Sequence, residues 1–232
     1  TRTCSRCGEA ETEAIAAYLC PSEAFSDLNT DQWYHEYTDY VIRHGLMEGM
    51  GDGKFAPDGK LTRGMLVTTL YRLAGEPEVT EPTTFQDVSE GRYFSDAIAW
   101  AEDVGIAKGI TEKLFAPDHA ITREQAFAVL ARAFVLEAED TDALNAFPDK
   151  GEVSSWAANA VAALVENGYV TGSNGKLNPK SQITRAEFAQ VISNLAGTYV
   201  DQSGPAARMV AGNVIVLSLI HISEPTRPIS IS

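Results

Sequence analysis

Three arginines stand in near-identical pentads: Leu61-Thr-Arg-Gly-Met65, Ile121-Thr-Arg-Glu-Gln125 and Ile183-Thr-Arg-Ala-Glu187. Each Thr is placed as a helix N-cap, and Gln125 or Glu187 completes a capping box in the second and third pentads; Met65 leaves the first incomplete. The preceding Leu or Ile is placed to act as a hydrophobic staple. Capping does not account for the arginine. A cation in the first turn opposes the helix dipole by roughly 0.3–1 kcal/mol, yet Arg63, Arg123 and Arg185 occupy that place every time. Such a residue needs a partner. One reading is an Asp or Glu of a neighbouring repeat in a structural ion pair. The other is an anionic ligand, because Arg beside free helix N-terminal N–H groups makes a carboxylate or phosphate site.

The elements that must hold these arginines repeat with them. The arginines are separated by 60 and 62 residues, a period of stacked units that cannot fold singly. Each unit opens with Phe-x-Asp (Phe25/Asp27, Phe85/Asp87, Phe147/Asp149) and places an aromatic (Trp33, Tyr93, Trp156) twelve residues before a glycine (Gly45, Gly105, Gly168). A second glycine follows four residues later (Gly49, Gly109, Gly172), then Phe55-x-Pro57, Phe115-x-Pro117 or Leu177-x-Pro179, then the pentad. Before the first glycine, Trp33, Tyr37, Tyr40, Val41 and His44 recur at helical steps, as do Trp156, Ala160, Ala163, Leu164 and Asn167 in the third unit. A first helix ending on a glycine C-cap is predicted in each unit, with the aromatic on its apolar face. After the pentads, Leu66/Leu70/Leu73, Ala126/Leu130/Ala133 and Phe188/Ile192/Leu195 share one face of a second helix.

Composition bounds the function. The 232 residues are 44% hydrophobic and 22% charged, which suits a globular chain with one large core or a few small ones. A net charge of −14 repels nucleic acid and anionic lipid, and no apolar run approaches the roughly 20 residues of a membrane-spanning helix. Gly49–Phe55, "GMGDGKF", lacks the acidic series and later Glu of a calcium loop and is read as a turn. His35, His44, His119 and His221 are not at metal spacing, and no nucleophile or phosphate-loop motif occurs. Neither an enzyme, a cofactor nor a metal site is expected.

Phe-x-Asp, the aromatic helix, Gly-x-x-x-Gly, the Phe-x-Pro loop and the Thr-Arg pentad together resemble three consecutive S-layer homology (SLH) domains over about residues 25–198. The resemblance implies an all-α fold, three helix-loop-helix repeats in a pseudo-threefold helical bundle with short non-helical ends. It implies extracellular placement, on the cell wall or S-layer of bacteria with a Gram-positive type of envelope. It also implies non-covalent anchoring of a surface protein through grooves between repeats that bind pyruvylated secondary cell-wall polysaccharide. Arg63, Arg123 and Arg185 map onto the family's ligand-contacting arginine, and the ketal carboxylate is the kind of anion they would take. Gly49, Gly109 and Gly172 would let the glycan approach the backbone, a turn being the other reading. Trp33, Tyr93 and Trp156 would stack on sugar rings, core packing being the other reading. Lys54, Lys113 and Lys176 align approximately as auxiliary cations or solvated surface. Gly64 and Met65 depart from the pattern, which makes the first site looser or inactive.

The expected organisation is a tail of a small Cys-containing surface-protein repeat (1–20), repeats at 21–78, 79–140 and 141–198, and the start of a following segment (199–216). The chain begins without Met and is expected to be a fragment. Cys4-x-x-Cys7 is half a zinc site at best, more simply a labile disulfide or free thiols, and Cys20 is the odd thiol. Leu217–Arg227, "LSLIHISEPTR", resembles the translation of a transposase sequencing adapter, so 217–232 is expected to lack a native role. Besides wall polysaccharide, other copies of a surface-layer protein are candidate partners. Two functions stand: a glycan-binding anchor, or an assembly module without direct glycan binding in which the arginines pair between repeats. Truncating the arginines is expected to separate them by wall binding against melting temperature.

Overall fold

The Gly C-caps and Thr N-caps divide the chain into helices at the predicted places. A computed structural model describes residues 20–196 and, upstream, a two-residue antiparallel pairing of Arg2–Thr3 with Ala10–Glu11. Cys4, Cys7 and the expected segments at 199–216 and 217–232 lie outside the described residues. The six α-helices among them are α1 (His35–Arg43), α2 (Arg63–Leu73), α3 (Ser95–Asp103), α4 (Arg123–Ala133), α5 (Ala158–Glu166) and α6 (Arg185–Ala196). The fold is all-α, as expected.

α1, α3 and α5 each stop at a glycine in left-handed conformation: Gly45, Gly105 and Gly168, at φ of 64°, 72° and 73°. At the first, Gly45 N–H donates to Ile42 O and Leu46 N–H to Val41 O, which occupies two orphan carbonyls of the last turn. The apolar stripe of these helices is set one residue later than the sequence reading has it. Tyr34, Thr38 and Val41 are buried, as are Phe94, Ile98 and Ala101, and Ala157, Val161 and Leu164. Trp33, Tyr93 and Trp156 precede the helices and are 55%, 54% and 60% exposed, which corrects their assignment to the core face. The spacing misled because residues 33 and 34 are both aromatic, and so are 93 and 94; either register fits a helical period.

α2, α4 and α6 begin at the pentads. Thr62, Thr122 and Thr184 cap the amides of Met65, Gln125 and Glu187, and the Gln125 and Glu187 side chains return to the N-cap amides at 3.1 and 2.8 Å. The faces predicted for these helices are all buried. They do not form hairpins with their own repeat's first helix. α3 packs on α2, α5 on α4, and α1 on α6, so each first helix lies against the second helix of the preceding repeat and the last contact closes the ring.

The ring is fastened at its centre by main chain. Leu61 N–H donates to Ile183 O (3.0 Å), Ile183 N–H to Ile121 O (3.1 Å) and Ile121 N–H to Leu61 O (3.0 Å). All three side chains are buried around this cycle. A second set runs outward: the first two amides of α2 donate to His119 O and Pro117 O, those of α4 to Ser181 O and Pro179 O, and those of α6 to Gly59 O and Pro57 O.

The loops that supply these carbonyls are shaped by the Phe-x-Asp aspartates. Asp27 accepts from Phe55 and Ala56 amides (2.8 and 2.7 Å), Asp87 from Phe115 and Ala116 (2.8 and 2.7 Å), and Asp149 from Leu177 and Asn178 (3.0 and 2.7 Å). The clamp holds Ala56, Ala116 and Asn178 at φ of 56°, 61° and 49°, against the steric preference of a side-chain-bearing residue before proline. Asp52 and Gly53 (φ 50° and 65°) form the tight turn of the Gly49–Phe55 stretch, in agreement with the turn reading; Asn174 and Gly175 (φ 51° and 72°) do the same in the third repeat.

Because Ala56 is strained at positive φ, Ala56→Gly is expected to stabilise the bundle by about 0.5–1 kcal/mol, net of glycine's extra unfolded-state entropy. Urea denaturation checks this; a lower midpoint would show that the alanine methyl packs more favourably than the strain opposes it.

Candidate functional site

The three pentad arginines reach across repeat boundaries in the same way. Arg63 donates from Nε to Phe115 O (2.7 Å) and from Nη2 to Lys108 O (2.6 Å). Arg185 donates from Nε to Phe55 O (2.8 Å) and from Nη2 to Glu48 O (2.6 Å). Arg123 donates from Nε to Leu177 O (2.8 Å) and pairs through Nη1 with Glu187 Oε1 at 3.0 Å. The guanidinium of Arg63 lies over the Phe115 ring at 4.6 Å and that of Arg185 over Phe55 at 4.5 Å. In the third repeat Leu177 replaces the phenylalanine, and Arg123 instead lies 5.2 Å from the ring of Phe127 on its own helix.

Arginine's place in the first turn is therefore explained by the next repeat's backbone. The partners all come from the neighbouring repeat, but the ion pair expected from the sequence forms only at Arg123, with Glu187; Arg63 and Arg185 take backbone carbonyl oxygens instead. The supposition of free helix N-terminal amides does not hold, since the first two amides of each helix already donate to the next repeat's loop. Burial lowers all three guanidinium pKa values, opposed by Asp87 at Arg63, by Glu187 and Asp149 at Arg123, and by Tyr93 and Asp27 at Arg185. Arg185 is brought down to about 10 and stays cationic at neutral pH.

Two of these arginines end in surface clefts. One, of about 350 Å³, lies where Arg185 meets the Leu46–Met50 turn, Met65 and Arg72 of α2, and Tyr93. The other, about 410 Å³, lies where Arg123 meets the Tyr169–Asn174 turn, Glu187 and Gln190 of α6, and Trp33. Each combines an arginine of one repeat, the turn and second helix of the next, and the exposed aromatic of the repeat after that. Arg63, Gly109 and Trp156 hold the corresponding positions at the third boundary. Both clefts fall at the small end of the range for small-molecule sites, about 300–1,000 Å³.

The glycines have a packing reason. A Cβ on Gly49 would stand 2.5 Å from the Phe25 ring and 2.9 Å from Lys54 O, and one on Gly172 would stand 2.8 Å from Phe147 and 2.7 Å from Lys176 O. A Cβ on Gly109 would meet Phe85 at 2.5 Å and the Thr111 carbonyl closer still. Gly49 and Gly172 line the clefts, but their missing side chains make room for protein. Gly64 is likewise explained: its Cβ would lie 3.1 Å from Phe94 and from Pro117 O. Lys54, Lys113 and Lys176 are exposed.

Position four of the second pentad carries a feature that sequence reading passed over. Glu124 is buried, accepts from Ser154 N–H and hydroxyl at 3.0 Å each, and pairs with Lys180 Nζ at 2.6 Å, tying α4 to the third repeat. Burial raises its pKa, but the Lys180 and Ser154 hydrogen bonds outweigh that and leave it below the ordinary value of 4.5.

A sequence profile of the S-layer homology domain matches residues 24–64, 84–127 and 146–189, more than half of the chain. Among curated relatives, the surface-layer 125 kDa protein of Lysinibacillus sphaericus is 33% identical over 77% of this chain and 16% of its own length. The amylopullulanase of Thermoanaerobacterium thermosulfurigenes is 31% identical over 75% of the chain and 9% of its own length. The S-layer protein sap of Bacillus anthracis is 29% identical over 77% of the chain and 22% of its own length. The chain thus spans less than a quarter of the length of these relatives.

Two stability experiments follow from the arginine and glutamate geometry. Arg185→Ala strands the buried Phe55 carbonyl and releases the part-buried bond to Glu48 O, and is expected to destabilise by about 1–3 kcal/mol; Arg185→Lys, without the planar fork, recovers less than half of that. Full recovery by lysine in thermal melts would show that charge alone matters. Because the folded pKa of Glu124 is lowered, its contribution is full above 4.5 and is lost as pH falls through the folded value. The drop in melting temperature between about pH 6 and pH 3.5 is expected to be smaller in Glu124→Gln than in the parent; equal slopes would remove Glu124 from the acid response.

Proposed function

The chain belongs to the S-layer homology domain family, and from that membership we propose that it anchors a surface protein non-covalently to the bacterial cell wall. The ligand is secondary cell-wall polysaccharide, a pyruvylated glycan, held in the grooves between repeats, and the site is extracellular. The observation that carries this reading is the recurrence of an exposed aromatic at every boundary, lining a cleft with a cationic arginine at two of them. A pyranose ring stacks on an aromatic face, and a ketal carboxylate takes a guanidinium N–H. The Arg185 cleft is the better anion site. Arg185 Nη1 faces the Met65 thioether at 3.8 Å, a weak acceptor that a carboxylate outcompetes, whereas Arg123 Nη1 already holds Glu187. The incomplete capping box of the first repeat thereby opens a groove, that of Arg185, rather than closing one. Arg63, with Gly109 and Trp156, is the corresponding contact at the third groove.

Relatives named for surface layers and one named for polysaccharide hydrolysis share this segment on much longer chains, as expected of an anchor that carries different passengers. The module itself is read as non-catalytic, without cofactor; its partners are wall polysaccharide and, through a passenger, other surface-layer copies.

Arginine truncation cannot separate the anchor from an assembly module, because both readings lose stability. The exposed aromatics can. The full chain is expected to co-sediment with purified Gram-positive walls and not with walls stripped of secondary polysaccharide. The Trp33→Ala/Tyr93→Ala/Trp156→Ala triple variant is expected to lose binding while each exposed substitution changes stability by no more than about 0.5 kcal/mol. Binding that survives stripping, or that the triple variant retains, would support the assembly module.

A further inference from the structure

Where the chain enters the first repeat, a thiol, an imidazole and a carboxylate meet at one point. Cys20 Sγ lies 3.1 Å from His35 Nε2 and 3.2 Å from Asp39 Oδ2, and His35 Nε2 lies 3.4 Å from the same Oδ2. His35 and Asp39 are one turn apart on α1, and Cys20 is brought over them by the short 3₁₀ helix Pro21–Ala24. Sequence spacing alone concealed the group, because no two of its members are the same residue type and the third comes from fifteen residues away.

The carboxylate is oriented. Ser22 gives both its N–H (2.9 Å) and its hydroxyl to Asp39 Oδ1, which turns Oδ2 toward the sulfur and the imidazole. That is the arrangement in which an outer hydrogen-bonding residue fixes a metal-binding carboxylate. Arg43 Nη2 approaches Oδ2 only to 3.9 Å, too far to satisfy it fully. The bundle does not require these groups. The other repeats place Ser95 and Ala99, or Ala158 and Ala162, where this one has His35 and Asp39, and the helix forms in all three.

We propose that Cys20, His35 and Asp39 bind a single borderline divalent transition ion, zinc foremost. Bond lengths of about 2.0 Å to nitrogen and oxygen and 2.3 Å to sulfur put tetrahedral ligand atoms roughly 3.3–3.5 Å apart. The His–Asp edge already matches, and the two edges to sulfur open by a few tenths of an ångström. A mixed thiolate, imidazole and carboxylate set selects zinc over calcium or magnesium, which take oxygen. On binding, the Cys20 thiol gives its proton to solvent and its sulfur takes the metal, leaving a fourth position open. The ion fastens the chain leading into the bundle to α1, the helix that closes the ring against α6. This is independent of the glycan reading.

The test uses the full chain with Cys4→Ser and Cys7→Ser, so that Cys20 is the remaining one of three thiols. Cobalt titration is expected to give a thiolate-to-metal charge-transfer band and intense visible bands, saturating at one equivalent and erased by zinc. Adding Cys20→Ser abolishes the charge-transfer band. His35→Ala, compatible with α1 because Ala158 occupies that place in α5, weakens binding at least tenfold; Ser22→Ala, by releasing the carboxylate, weakens it about tenfold or more. Absence of the band at stoichiometric cobalt in a chain with a normal helical circular dichroism spectrum would overturn the proposal. So would bands that require Cys4 and Cys7, or bands unchanged by Cys20→Ser.

Discussion

Three backbone hydrogen bonds closing on one another at Leu61, Ile121 and Ile183 are the constraint on which the bundle depends. Each is an ordinary amide-to-carbonyl contact, but each joins a different pair of repeats, and the cycle closes only when all three repeats are present. Around that cycle the first amides of α2, α4 and α6 take carbonyls from the next repeat, and the first helix of each repeat lies on the second helix of the one before. A repeat on its own would have orphan amides at one helix end, orphan carbonyls in its loop and an uncovered apolar face. Buried unpaired groups of that kind cost about 1–3 kcal/mol each. The three-repeat ring is thus the folding unit, and the repeated pentad is the device that closes it.

The same geometry explains why arginine is written into each pentad and what it leaves for a ligand. A guanidinium has five N–H donors in a rigid fork, and the neighbouring loop's carbonyls occupy only the edge carrying Nε and Nη2 at Arg63 and Arg185. The loop carbonyl and the aromatic ring beneath hold the cation without neutralising it, and the aspartate that shapes the loop does so through amides. A carboxylate partner would have offset the charge, as the half-buried Glu187 does in part for Arg123. Stability and anion binding therefore share one side chain, divided by which nitrogens each uses.

Much of this architecture was legible in the residues. The capping boxes, the glycine helix ends and the buried faces of α2, α4 and α6 stand where their spacing puts them, because local hydrogen bonding and the helical period act over a few residues. What could not be read was the pairing across 45 to 137 positions: which loop an arginine reaches depends on ring closure, which no local signal encodes. The role of Gly49, Gly109 and Gly172 was hidden for a related reason. Each is hemmed in by a phenylalanine from the start of the repeat as well as by a nearby backbone carbonyl, so a turn glycine and a packing glycine look alike in sequence.

The misplacement of Trp33, Tyr93 and Trp156 is the most informative departure, because the error has a direction. A helical period counts apolar residues and assigns them to the inside; where two aromatics are adjacent it cannot tell which one turns in. The structure buries Tyr34 and Phe94 and leaves Trp33 and Tyr93 outside, edge-on to them at ring-centroid distances of 5.6 and 4.9 Å. In the third repeat Ala157 turns in, so no aromatic lies beneath Trp156, yet Trp156 is the most exposed of the three. An aromatic kept outside at all three boundaries, with and without an aromatic beneath it, is not explained by packing within the bundle. A surface that must meet rings from outside explains it, and it places the specificity of the module on side chains that add little to its stability.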